Sequence, residues 1–209
     1  LPKIAGHKAG VKSVEEVIKA AKELGIKVLT LYTFSTENWK RPKKEIDALM
    51  YLLENYLDRK TEKIAAEGIR IHAIGRIAAL PPTVQLKLRK AEEKTAKNSR
   101  LLVNLALNYG ARSEIVDATK KIVEVVKRGE LKQDDISEEN FPDYLYTAGI
   151  PDPDMLIRTS GEMRLSNFLL WQISYAEIYV TEKFWPDFGK KDLEKAVLDY
   201  QQRQRRYGG

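Results

Sequence analysis

The sequence predicts a single α/β domain with a largely parallel central sheet flanked by helices on both faces. Amphipathic stretches of helical period alternate with short β-branched apolar runs, and no linker or internal repeat interrupts them. With 209 residues, 43% of them hydrophobic, the chain is long enough to bury one substantial core. Val11, Val14, Val17, Ile18, Ala21 and Leu24 recur at helical spacing before Gly25, which predicts a first helix over 11–24. Ile26 to Phe34 reads as a strand. Ile46, Leu49, Met50, Leu53 and Leu57 then mark a long helix over 43–66 that Gly68 ends. Further strands are expected at 69–74, 101–107, 154–158 and 176–181, with helices near 82–98, 112–128 and 189–206.

Composition excludes several kinds of chemistry. Zero cysteines remove disulfides, thiolate zinc sites and a Cys nucleophile, and they suit a reducing, cytoplasmic setting. No apolar run approaches the roughly 20 residues that span a bilayer. Gly-x-Gly-x-x-Gly and P-loop patterns are missing, which weakens nucleotide-dependent readings. The net charge of +6 favours anionic partners, but the basic residues are dispersed among acidic ones except in the tail Arg203 to Arg206. A nucleic-acid interface would show a clustered stripe or a known motif, and neither is present, so nucleic acid is not expected as a partner.

In parallel sheets ligands bind beyond the carboxyl ends of the strands. Three such exits are unusually polar: Ser35 to Pro42, Asn108 to Arg112, and the run from Arg158 to Phe168. The last places two guanidiniums, several hydroxyls and a glycine turn after the apolar stretch Met155-Leu156-Ile157. It reads either as an oxyanion cradle, with free backbone N–H groups adding contacts, or as an ordinary polar loop. His72 alternates with Ile69, Ile71 and Ile74 and is expected to pack or to bond to backbone. His7 lies in Ala5-Gly6-His7-Lys8-Ala9-Gly10, a small-residue approach to the first helix that permits close ligand contact.

Together His7-Lys8-Ala9-Gly10, Thr30 to Pro42, Asn104 to Arg112, Asp152 to Phe168, Trp171-Gln172 to Glu177 and Trp185-Pro186-Asp187-Phe188 resemble the cis-prenyltransferases of the undecaprenyl diphosphate synthase type. The resemblance spans nearly the whole chain. It implies a homodimeric, magnesium-dependent transferase that adds isopentenyl diphosphate to farnesyl diphosphate with cis double bonds, giving a long polyprenyl diphosphate. Undecaprenyl diphosphate, the carrier precursor for cell-wall glycan synthesis, is the expected product. A cytoplasmic enzyme with peripheral membrane contact for product release follows from the same resemblance. The alternative is a non-catalytic, dimer-forming subunit of a two-component prenyltransferase.

Carried over by position, the resemblance implies that Arg158, Arg164 and Ser166 grip the diphosphate of isopentenyl diphosphate. It gives Asn38 a role in positioning and proton removal, puts His7 near the reacting groups, and assigns Arg41 and Lys3 to the allylic diphosphate. Phe34, Glu37 and Trp39 line or brace the same loop, and Glu177 is the magnesium-associated carboxylate. Val11, Val14, Ile18, Leu49, Leu52 and Leu53 are the implied hydrophobic tunnel. Arg206 and Gly208 match an Arg-x-Gly motif that reaches the partner subunit's site. In the family a strand ending in Asp-Gly-Asn-Gly-Arg precedes the His-x-Ala-Gly segment and carries the central carboxylate. Residues 1–209 are thus expected to be one catalytic domain without that strand, which is expected upstream of Leu1.

Overall fold

The computed structural model describes residues 3–203, the side chains of residues 3–5, 7 and 8 excepted. Three strands, β1 (Val28–Ser35), β2 (Ile69–Ile74) and β3 (Leu101–Tyr109), form a parallel sheet in the order β1-β3-β2. Nearly every residue of β3 is buried, as a central strand covered on both faces requires. β4 (Met155–Arg158) and β5 (Glu177–Val180) form a second parallel pair. Every pairing is parallel, and among the described residues the strands fall into two hydrogen-bonded groups.

The first helix, α1 (Lys3–Glu23), starts eight residues before the expected position. Gly10 does not break it but lets it approach a neighbour. A Cβ there would lie 3.3 Å from Trp185 Cδ1, and Trp185 Nε1 donates to the Gly10 carbonyl at 3.1 Å. Ser13 adds a bond to the Pro186 carbonyl at 2.8 Å. α1 ends where the N–H of Gly25, at φ +75°, bonds back to Lys22, a left-handed glycine stop.

Helix α2 (Lys43–Ala66) follows Pro42 and turns Ile46, Met50, Leu57 and Ile64 inward, at spacings that keep one face apolar. It packs beside α3 (Pro82–Thr95) and β2. His72 Nδ1 and the Ala73 N–H both meet Glu92 Oε1, at 3.0 and 2.9 Å, so His72 ties β2 to α3. The main core lies between α1, α2, α3 and the three-stranded sheet. A second, smaller core of Ile74, Ala106, Tyr109, Leu156, Phe168, Leu169 and Ile173 supports the loop after β4. α4 (Ala111–Lys127) follows β3, and α5 (Lys190–Gln202) closes the fold.

On α4, Asp117 accepts from Arg76 Nε and Nη2 at 2.8 and 2.9 Å and also from the Tyr146 hydroxyl. The Arg76 hydrogen bonds, against some burial, hold its carboxyl down to about 2 from the usual 3.8. A depressed carboxyl contributes stability that is present above its unfolded pKa and lost as pH falls through its folded one. Between these limits the wild type is expected to lose about 1–2 kcal/mol more unfolding free energy than Asp117→Asn, after discounting for solvent around the partly exposed Arg76. Urea titrations near pH 4.5 and near pH 2 measure this. Equal losses in both proteins would remove the pair from the acid response.

Candidate active site

The three polar exits converge. β1 runs through a register shift near Phe34 into the 3-10 turn Thr36–Lys40, β3 runs into α4, and β4 runs into the loop that carries Ser166. Asn167 Nδ2 donates to Glu37 Oε1 at 2.9 Å, joining the first exit to the third. The Ala111 N–H donates to the Asn167 carbonyl at 2.8 Å, joining the second to the third. Trp39 Nε1 donates to Asn108 Oδ1 at 2.7 Å, closing the triangle. Asn108 sits at φ +47°, a region asparagine tolerates better than most residues, and its Nδ2 bonds to the Arg76 carbonyl.

Arg158 is the chief cation at this junction. Its Nε is buried and has no hydrogen-bond partner, while Nη2 reaches Ser166 Oγ at 3.5 Å. No ion pair engages it among the described residues. A buried donor without a partner is costly, so this guanidinium suits an acceptor that the described residues do not supply. Ser166 is held in place by Tyr32, whose hydroxyl donates to the Ser166 carbonyl at 3.2 Å and whose ring stacks on Phe168 at 4.4 Å. Burial, reinforced by the Glu37 charge, pushes the Tyr32 phenol up to about 12. It therefore stays protonated and donating at neutral pH.

The rest of the cradle differs from the sequence expectation. The N–H groups of Ser160 and Gly161 are not free for a ligand. They bond to the carbonyls of Lys183 and Thr181 at 2.7 and 2.9 Å. Arg164 is paired with Glu162, and at 66% exposure its side chain is free to exchange that partner.

Arg158, Arg164 and Arg41 all line one cavity of about 1320 Å³ between β1, β4, α1 and α2. Val11 and Val14 from α1 and Leu49, Leu52 and Leu53 from α2 give it apolar walls. Ile18 points elsewhere. It is 5% exposed and packed in the main core, because the helical turn carries it past the cavity face. The arginines on one side and the apolar walls of α1 and α2 on the other suit an anionic head joined to a hydrocarbon body.

Comparison with known proteins agrees with this geometry. Residues 1–208 match a protein family described as putative undecaprenyl diphosphate synthase. The chain belongs to that family. It is 53% identical to an isoprenyl transferase of Heliobacterium mobile, over all of this chain and 80% of that protein. It is 50% identical to the isoprenyl transferase of Bacillus subtilis, with the same coverage. A lavandulyl diphosphate synthase from Lavandula x intermedia, solved with dimethylallyl diphosphate, superposes with a TM-score of 0.96 at 40% identity, covering 99% of this chain and 89% of that one. A probable undecaprenyl diphosphate synthase from Campylobacter jejuni gives 0.85 at 40% identity, covering 97% and 93%.

Within this member of the undecaprenyl diphosphate synthase family, several implied residues also shape the loop after β1. Phe34 is 2% exposed and braces Trp39 edge-on at 5.1 Å, so it does not line the chamber. Asn38 Oδ1 accepts the Ser35 N–H at 3.1 Å and so shapes the 3-10 turn. Arg41 meets Glu45 at 2.8 Å at the start of α2. Burial acts to raise the Glu37 carboxyl, yet bonds from Asn167, its own backbone, Thr36 and Ser35 outweigh it and hold the group below its usual value. The side chains of Lys3 and His7, and residues Arg206 and Gly208, lie outside the described residues.

Glu177 does not fit a magnesium site by itself. In the β4/β5 register it pairs with Met155 while Arg158 pairs with Val180, which places it at the far end of the pair from the cradle. Its carboxylate bonds to Arg203 Nη1 at 2.8 Å. Among the described residues no three His, Asp or Glu side chains gather as a metal site. Tyr32, Asn108 and Asn167 are functional-site residues the sequence reading left unassigned. The one signal for Asn108 and Asn167 is an asparagine within two residues of a glycine or serine, which is too common to stand out.

Proposed function

We propose that this chain elongates prenyl diphosphates in the cis configuration, condensing isopentenyl diphosphate onto farnesyl diphosphate. The observation that carries this reading is Arg158, a partly buried guanidinium without an ion pair among the described residues, on the wall of a chamber that α1 and α2 line with apolar side chains. Family membership supports the reaction class, and the named relatives are isoprenyl transferases and a probable undecaprenyl diphosphate synthase.

Arg158 and Ser166 would bind the diphosphate of isopentenyl diphosphate, joined by Arg164 once it leaves Glu162. Arg41 would face the allylic diphosphate, and the allylic chain would lie along Val14, Leu49 and Leu53. In the condensation the allylic C–O bond breaks, the isopentenyl alkene supplies the electron pair of the new C–C bond, and the adjacent carbon loses a proton. Asn38 and His7 are the implied residues for positioning and proton removal. Magnesium belongs to this reading, but the described residues do not assemble its ligands, and no step above depends on it. The family's Asp-Gly-Asn-Gly-Arg strand, with its carboxylate, belongs to this reading. Residues 1–209 would then be the rest of a single catalytic domain. A homodimer, with Arg206 and Gly208 reaching the partner's site, and a cytoplasmic enzyme touching the membrane to release product complete the reading. No described helix is long and apolar enough to cross a membrane.

The test is incorporation of radiolabelled isopentenyl diphosphate, with farnesyl diphosphate and magnesium, by the protein carrying its native N-terminus. Butanol-extractable polyprenyl diphosphate is expected. No incorporation would overturn the enzymatic reading and favour the non-catalytic subunit.

A further inference from the structure

Asn167 engages three polar groups. Its carbonyl accepts the Ala111 N–H at 2.8 Å, its Oδ1 accepts the Arg112 N–H at 2.9 Å, and its Nδ2 donates to Glu37 Oε1 at 2.9 Å. The first two contacts cap the N-terminus of α4 from 55 residues away, and the third spans 130 residues. The site is too tight for other arrangements. A Cβ on Gly110 would lie 2.7 Å from Asn167 Nδ2 and 2.6 Å from Thr36 Oγ1.

The local backbone gives these contacts a purpose. Ser166, Asn167 and Leu169 hold φ values of +52°, +62° and +46°, a region that side chains other than glycine seldom adopt and that surrounding contacts must enforce. Ser166, the hydroxyl beside Arg158, is therefore placed by the residue that follows it.

We propose that Asn167 is a positioning residue that clasps the Glu37–Arg41 segment to the Arg158–Ser166 cradle, setting the spacing between the two halves of the site. The inference rests on the diphosphate reading of the cradle. Its decisive contact is Nδ2 to Glu37, the side-chain bond that connects the two halves directly.

Asn167→Asp isolates that contact. Aspartate tolerates the same backbone region and keeps both acceptors toward α4, where a negative charge suits the helix N-terminus. Only the donor toward Glu37 is exchanged for a second carboxylate oxygen. Calorimetry on the chain should show isopentenyl diphosphate binding weakened about tenfold relative to wild type near pH 8, with the ratio shrinking to about threefold near pH 5.5 as the facing carboxylates share a proton. Hydrogen exchange of amides 35–40 should quicken by about tenfold in the same variant. Adding Glu37→Gln lets the glutamine amide donate to the carboxylate introduced by Asn167→Asp, so the double variant should bind within about threefold of Glu37→Gln alone.

Unchanged exchange at 35–40 would overturn the clasp whatever the ligand does. A binding loss equal at both pH values and not recovered in the double variant would overturn it too, as would unchanged binding. If the wild-type chain itself bound neither isopentenyl diphosphate nor inorganic pyrophosphate, the diphosphate reading would fail, and the exchange data would still decide the clasp.

Discussion

Glu114→Ala is expected to lower the melting temperature by roughly 10 °C. Glu114 is 1% exposed and accepts from the Tyr109 hydroxyl, from Gln172 Nε2 at 3.1 Å and from the Tyr146 N–H at 2.9 Å. Gln172 also reaches Thr147 Oγ1 at 2.9 Å, so one carboxylate ties β3, α4 and the segments around 146 and 172 together. Removing it strands three buried donors, a loss of about 3–5 kcal/mol, and in a chain of this size each kcal/mol shifts the midpoint by about 2–4 °C. Burial and the Glu114 charge together raise the Tyr109 phenol, so it remains a donor and cannot relieve the loss by ionising. Gln172→Ala should cost less, about 1–2 kcal/mol, because the two tyrosine contacts survive. Calorimetric scans of both variants decide the matter. A midpoint for Glu114→Ala within about 3 °C of wild type would show that the network does not anchor the loop.

Arg158→Ala is expected to raise the KM for isopentenyl diphosphate about a hundredfold at saturating farnesyl diphosphate. A guanidinium makes charge-assisted bonds to a diphosphate worth about 1.5–3 kcal/mol each, and losing two of them accounts for a change of that order. Stability should move the other way or not at all, since the substitution removes a buried Nε without a partner. Arg158→Lys restores the charge without the planar fork and should fall between, about tenfold above wild type. An unchanged KM in Arg158→Ala would remove this residue from the site.

Much of the fold was legible because it rests on periodicity. The helix over 43–66 and the strand over 69–74 stand where the apolar spacing put them. α1 began earlier because Gly10, which looks like a stop in one dimension, serves a close approach to Trp185 that only the tertiary structure creates. The cationic character of the site was equally plain from the arginines after β4. Their partners were not. That Glu177 faces Arg203 and that Asn167 reaches Glu37 are consequences of chain reversal, which residue types do not encode locally. Ile18 illustrates the same limit, since an apolar stripe wide enough to serve both core and chamber does not say which turn faces which.

Four backbone donors beside the cradle are already satisfied: Ser160 and Gly161 by the carbonyls after β5, and the first amides of α4 by Asn167. Where these four amides stand, recognition of an anion falls to the neighbouring side chains of Arg158, Arg164 and Ser166. Main-chain sites of the P-loop kind are bound to the path of the polypeptide and resist gradual change. A site written in replaceable side chains can be retuned one substitution at a time, with the scaffold left as it is. That makes this pocket a good subject for stepwise evolution toward other anionic heads and other hydrocarbon lengths.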